Sequence, residues 1–182
     1  MTGRADAAGR ADAAGSADAA APAPVESRSV EPPATRLVKL FRAEVLVDGI
    51  EDHGVTSAGH RRVVPILGGR LSDGLDAEVL PGGADWQVVR PDGTIEIDTR
   101  YTARTAGGDL LHLRTHGIRS GSPEVLAALG RGEVVPPDQY TFRLHVEVET
   151  SAPALAHLQR SLIVGVAARG PRQVVYDAYA VD

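Results

Sequence analysis

Asp85, Trp86 and Gln87 set a carboxylate, the only Trp of the chain and an amide at three consecutive positions. On a strand, Asp85 and Gln87 point one way and Trp86 the other. A polar pair facing a lumen would orient a substrate carbonyl or hydroxyl, and Trp86 facing it would supply a stacking wall. The plainer alternative is that Asp85 caps the Gly82-Gly83 turn and Trp86 fills the core. A second grouping is Asp98, Arg100 and Arg114, with His112 and His116 on the same face as Arg114. Facing solvent, such charges form a ladder worth about 0.2 to 1 kcal/mol per pair. Inside a lumen, an Asp–Arg pair is a fixed dipole suited to a developing enolate or a polarised carbonyl.

His112 and His116 are the third grouping. Four residues of strand separate them by about 13 Å, too far to share one metal ion. The expectation is therefore no metal and no cofactor, with His116 as a single acid or base. Zinc-protease, serine-hydrolase, Walker and dinucleotide signatures are all missing, which disfavours the common hydrolases and nucleotide enzymes.

The elements that must hold these residues are short and β-rich. Strands are expected at residues 37–47, 61–67 (ending at Gly68-Gly69), 76–80 and 86–90, the last closed by the Pro91-Asp92-Gly93 turn. From Thr94 to Thr105 the period is two, with Ile95, Ile97, Tyr101 and Ala103 opposite Glu96, Asp98, Arg100, Thr102 and Arg104. Gly107-Gly108 turns this run into residues 109–118 as a hairpin. Residues 140–150 alternate in the same way, with Phe142, Leu144, Val146 and Val148 on one face. Runs at 161–167 and 173–181 finish the chain. Ser122-Pro123-Glu124 opens a short helix that Gly130 stops, and a second is expected over 152–160. Nine or ten strands on short connections predict an all-β fold, a closed antiparallel β-barrel with an interior cavity; a β-sandwich is the alternative.

Composition narrows the rest. Of 182 residues, 4% are aromatic, so the core must be built from Val, Leu, Ile and Ala. With no Cys, thiolate nucleophiles, disulfides and Cys-ligated metals are excluded. A net charge of −5 disfavours a general nucleic-acid binder. The chain has neither an apolar run long enough to span a membrane nor the apolar stretch of a secretory signal, so a cytoplasmic protein is expected. Residues 1–35 carry a six-residue repeat, Arg-Ala-Asp-Ala-Ala-Gly, followed by Ala-Pro-Ala-Pro, and read as a disordered tail. Residues 36–182 form the barrel domain. A homodimer is left open.

Several runs resemble the proteins grouped as domain of unknown function 3237, the UPF0311-like small β-barrels. They are Arg61 to Gly69 (RRVVPILGG), Val79 to Asp98 (VLPGGADWQVVRPDGTIEID) and Arg100-Tyr101-Thr102. Gly108 to Gly117 with Arg119, and Tyr140-Thr141-Phe142-Arg143, complete the set. His112 departs from the pattern, standing where an aromatic residue is usual, and His116 stands where Arg or another polar residue is usual. The resemblance implies a small β-barrel. By analogy with barrels of similar shape in actinomycete gene clusters, it also implies a cofactor-free cyclase or isomerase acting on a small, largely apolar, polyketide-like metabolite, in antibiotic biosynthesis. The alternatives are a non-catalytic carrier and a filled structural barrel.

The alternation alone places Ile95, Ile97 and Tyr101 inward. Asp98 and Arg100, however, belong to the recognisable motif, and the resemblance therefore predicts that they face the interior. The expected site is then Asp98, Arg100, Asp85 and His116 for catalysis. Trp86, Gln87, Tyr101, Arg114, Tyr140 and Phe142 are expected to hold the substrate.

Overall fold

The computed structural model describes residues 30–182; the six-residue repeat, and the disorder expected of it, lie outside them. In chain order the elements are β1 (Leu37–Val47), β2 (Glu51–Thr56), β3 (Gly59–Ser72), β4 (Ala77–Val79) and β5 (Ala84–Val89). Then follow β6 (Ile95–Thr105), β7 (Leu110–Gly121), α1 (Pro123–Gly130), β8 (Tyr140–Thr150), β9 (Ile163–Arg169) and β10 (Gln173–Val181).

Every pairing is antiparallel, and the sheet closes because β1 bonds β10 along one edge and β3 along the other. Both β4 and β5 lie between β3 and β6, so they share one place in the ring. Ten strands thus make a closed eight-stranded barrel, with β2 folded back on β3 as a hairpin outside the ring. Closure leaves the ring without a free edge.

The glycine pair at 68 and 69 does not end a strand as expected. It bends one: residues 60–65 of β3 face β5, whereas residues 69–71 face β1 and β4. Gly69 has φ of 137°, and an added Cβ would run into the Glu44 carbonyl oxygen of β1. Only glycine permits both the dihedral and that approach. Ser122 caps α1 by accepting a hydrogen bond from the Val125 amide, and Pro123 occupies the first turn. The second expected helix is instead a 3-10 segment, Pro153–Arg160, pinned by buried Leu158.

Alternation decides what fills the barrel. Ile95, Ile97, Thr99, Tyr101 and Ala103 of β6 are buried, as are Leu111, Leu113, Thr115 and Arg119 of β7. Tyr140, Phe142, Leu144, Val146 and Val148 do the same on β8. Phe41, Leu71, Val79, Leu111, Leu113, Val146 and Ile163 are sealed from solvent. Fully burying an aliphatic or Phe side chain contributes about 1.5 to 3 kcal/mol, so this set carries the fold.

Antiparallel order brings the C-terminal ends of β1, β5, β7 and β9 to one end of the barrel, with the N-terminal ends of β3, β6, β8 and β10. Helix α1 follows β7 at that same end. Among the described residues no helix is long and apolar enough to cross a membrane.

Candidate active site in the barrel lumen

At that end the lumen turns polar. Asp85, Gln87, Thr99, Thr115 and Arg119 are the buried polar side chains among the described residues, and all five line one cavity with Tyr101, Tyr176, Phe142, Arg169 and aliphatic walls. Asp85 sits opposite Thr99 in the β5–β6 register, and Thr99 sits opposite Thr115. The polar set therefore runs across three neighbouring strands.

A relay of hydrogen bonds fixes the acid. Gln87 Nε2 donates to Asp85 Oδ2 at 2.6 Å, and Arg62 Nη2 donates to Gln87 Oε1 at 3.3 Å. Asp85 Oδ1 and Arg119 Nε are buried without a hydrogen-bond partner. Burial pushes the Asp85 carboxyl above its ordinary 3.8, against the Gln87 hydrogen bond, the neighbouring Thr99 hydroxyl and the charge of Arg119. Arg119 is pushed down to about 10, first by burial and then by repulsion from Arg169, so it stays cationic at neutral pH. Its guanidinium lies 5.5 Å from the Phe142 ring centroid.

Tyr101 and Tyr176 share a hydrogen bond of 2.6 Å between their hydroxyls. Burial raises both phenols above their usual range, so they remain neutral donors. Tyr140 is buried beside this set, and its hydroxyl accepts the Arg169 backbone N–H at 2.8 Å.

The structure divides the expected site in two. Asp85, Gln87, Tyr101, Tyr140 and Phe142 come together inside. Asp98, Arg100, Arg114, His116 and Trp86 lie on the outer face, and the expectation that Asp98 and Arg100 face the interior is corrected. Asp98 accepts from Arg100 at 3.1 Å and from Arg114 at 3.2 Å, with side-chain exposures of 36%, 50% and 39% respectively. The reason is steric: Ile97, Thr99 and Tyr101 occupy the lumen, so the residues between them must point out. Trp86 is 39% exposed, with the Arg100 guanidinium 5.9 Å from its ring centroid, so it supplies no wall to the lumen.

His112 is exposed on the same outer face. His116 meets His145 there, Nε2 to Nδ1 at 3.2 Å, with Glu147 3.5 Å from His145. Ligand atoms of these three residues lie within 4.8 Å of one another. Spacing along one strand had suggested no such group; it forms because His145 is the cross-strand partner of His116.

Arg119, Thr99, Thr115, Tyr176 and Arg169 were missed as lumen residues. A signal for the first three was present: counting by twos from Leu111 through Leu113 reaches Thr115 and then Arg119, and Thr99 falls between Ile97 and Tyr101. For Tyr176 and Arg169 the sequence offers none, because only barrel closure carries β9 and β10 to this site.

Two openings differ in size. The lumen has a free volume of about 30 Å³, room for roughly two water-sized groups. An open cleft of about 460 Å³ lies at the same end, between residues 48–50, the end of α1 and the β9–β10 turn. Arg169 lines both.

Residues 35–181 match the family described as protein of unknown function, DUF3237. The chain belongs to this family. It is 37% identical to a UPF0311 protein of Rhodopseudomonas palustris over 143 residues, covering 78% of this chain and 94% of that one. A crystal structure of a conserved protein of unknown function from R. palustris matches with a TM-score of 0.78 at 35% identity, covering 84% of this chain and all of that one. A β-barrel-like protein of Acinetobacter baumannii matches at 39% identity with a TM-score of 0.74, over 85% of this chain and all of that one. At 16% identity and a TM-score of 0.63, covering 85% of this chain and all of that one, an enzyme from Penicillium herquei shares the fold. These solved structures share the barrel fold of this chain.

Proposed function

We propose that this DUF3237 protein is a cofactor-free enzyme of specialised metabolism, a cyclase or isomerase acting on a small, largely apolar, polyketide-like metabolite. The observation that carries the reading is Asp85: a carboxyl buried in a lumen, raised in pKa, with one oxygen unpartnered and a cation close by. Asp85 takes a proton from a carbon next to a carbonyl. The electron pair moves to the carbonyl oxygen, and Arg119 stabilises the enolate so formed. The enolate carbon then either attacks a second carbonyl of the same molecule, closing a ring, or is reprotonated at another position. Asp85 returns its proton to the new alkoxide or carbon, so atoms and charge balance without a cofactor.

The free volume of the lumen admits only the reacting arm of a substrate. The body lies in the outer cleft. This argues against a carrier, since enclosing a whole small molecule takes roughly 300 to 1,000 Å³. A purely structural barrel accounts for the packed core but gives no reason to hold Asp85 and Arg119 buried and incompletely paired, an arrangement that costs stability.

Proton abstraction can be read without knowing the product. Acyclic 1,3-diketones and aryl ketones in D2O report hydrogen–deuterium exchange at the α-carbon by NMR. The wild type is expected to accelerate exchange, Asp85→Asn to lose at least about 100-fold of that rate, and Asp98→Ala to retain it. Full exchange by Asp85→Asn, or none by the wild type across the panel, overturns the proposal.

A further inference from the structure

The charge around the lumen is unbalanced. Arg119 and Arg169 line it, Arg62 stands behind Gln87, and Asp85 is the single carboxylate among these groups. Other arginines of this end are paired: Arg131 meets Glu133 at 2.6 Å, and Arg172 meets Asp48 at 3.5 Å. Asp85 is the one carboxylate, among the described residues, whose charge supports both Arg119 and Arg169, and it lies in a direct ion pair with neither. Burial lowers the pKa of each; Asp85 and Tyr140 offset this in part, while Arg169 and Arg62 lower Arg119 further and Arg62 lowers Arg169. Two cations in excess, with Arg119 buried and Arg62 and Arg169 half-buried, are costly unless an anion joins them.

We infer that this end of the barrel binds the anionic group of an organic carboxylate between Arg119 and Arg169, with the rest of the molecule in the outer cleft. Three observations converge. Arg169 lines both the lumen and the cleft, so a molecule spanning the two must pass it. A guanidinium fork matches a carboxylate bidentately. The 30 Å³ of free lumen suits the two oxygens of a carboxylate, by the volume of about two waters, better than the four of a phosphate. This deepens the proposed function, on whose reading of the lumen as a small-molecule site it rests: the substrate is a 2-keto acid or its equivalent, whose carboxylate and neighbouring carbonyl together are the reacting arm, so that Arg119 faces both the anion and the developing enolate.

Calorimetric titration of the full chain with benzoate, with isosteric but neutral benzamide and with inorganic phosphate tests this. Benzoate is expected to bind and benzamide not. Arg169→Gln, at a half-buried position whose backbone contacts are untouched, is expected to weaken benzoate at least about tenfold. Asp85→Asn removes the competing anion and is expected to bind benzoate more tightly than the wild type, while losing α-proton exchange. Equal binding of benzamide, undiminished binding by Arg169→Gln, or preference for phosphate overturns the inference. Benzoate binding by a wild type that exchanges no α-protons upholds anion recognition and removes the catalytic reading; exchange without preference for benzoate does the reverse.

Discussion

Asp85 and Asp98 stand on neighbouring strands of one barrel and meet opposite environments. Asp98 shares two guanidiniums with solvent in reach of all three groups, and such exposed pairs are worth about 0 to 1 kcal/mol each. Asp98→Ala and Arg100→Ala are therefore expected to cost under about 1 kcal/mol each in urea unfolding, and an Asp98→Leu/Arg100→Met double change to be no worse than their sum. Single losses of about 3 kcal/mol or more would mark a buried pair instead. The sequence contained the right answer here. Ile95, Ile97 and Tyr101 already defined the inward face by their period of two, and the motif around Asp98 drew the expectation to the other one. A motif tells which residues recur together; it carries no information on the side of the sheet. Asp85 and Gln87 were legible as a pair because a strand sends i and i+2 the same way, whereas their sign, inward or outward, depended on packing.

At the scale of the element, close approach between strands accounts for what composition left open. The glycine pair of β3 read as a stop and proved to be a bend, because a positive φ serves either purpose and only the partners on each side distinguish them. Gly117 of β7 sits so near β8 that an added Cβ would run into the Arg143 carbonyl oxygen. Gly69→Ala and Gly117→Ala are each expected to destabilise by about 1 to 3 kcal/mol, by forced backbone shifts at either site and by dihedral strain at Gly69. Gly130, at the end of α1, has open space around its Cβ position and no unusual φ. Gly130→Ala should thus be neutral or stabilise by up to about 1 kcal/mol. Denaturant midpoints of the three variants check the contrast, and an equal loss in all three would show that close approach is not the cause. The strand β2 leaves no mark in the hydrophobic pattern because Glu51–Thr56 carries a single large apolar side chain, the exposed Val55, and pairs on β3 outside the ring, so no apolar face defines it.

Over the whole molecule, closure of the ring makes the site. Arg119 on β7, Asp85 on β5, Arg169 on β9 and Tyr176 on β10 are far apart in sequence and share one lumen only because β1 joins β10 to β3. The barrel was readable from strand count and turn spacing. The identity of the lumen residues was readable only in part, since which end is polar follows from register and not from any local pattern. Holding Asp85 inside has a consequence for the whole fold. Its folded pKa lies above the ordinary 3.8, so the native state holds this proton more tightly than the unfolded chain does. The contribution of Asp85 to stability therefore falls as pH rises from about 3.8 through the folded value. The most direct measurement is the titration of the Asp85 side-chain carboxyl by carbon-13 NMR, assigned with Asp85→Asn. A midpoint above 3.8 is expected; a midpoint at or below it would show a stabilised carboxylate and contradict a proton-transferring role in the lumen.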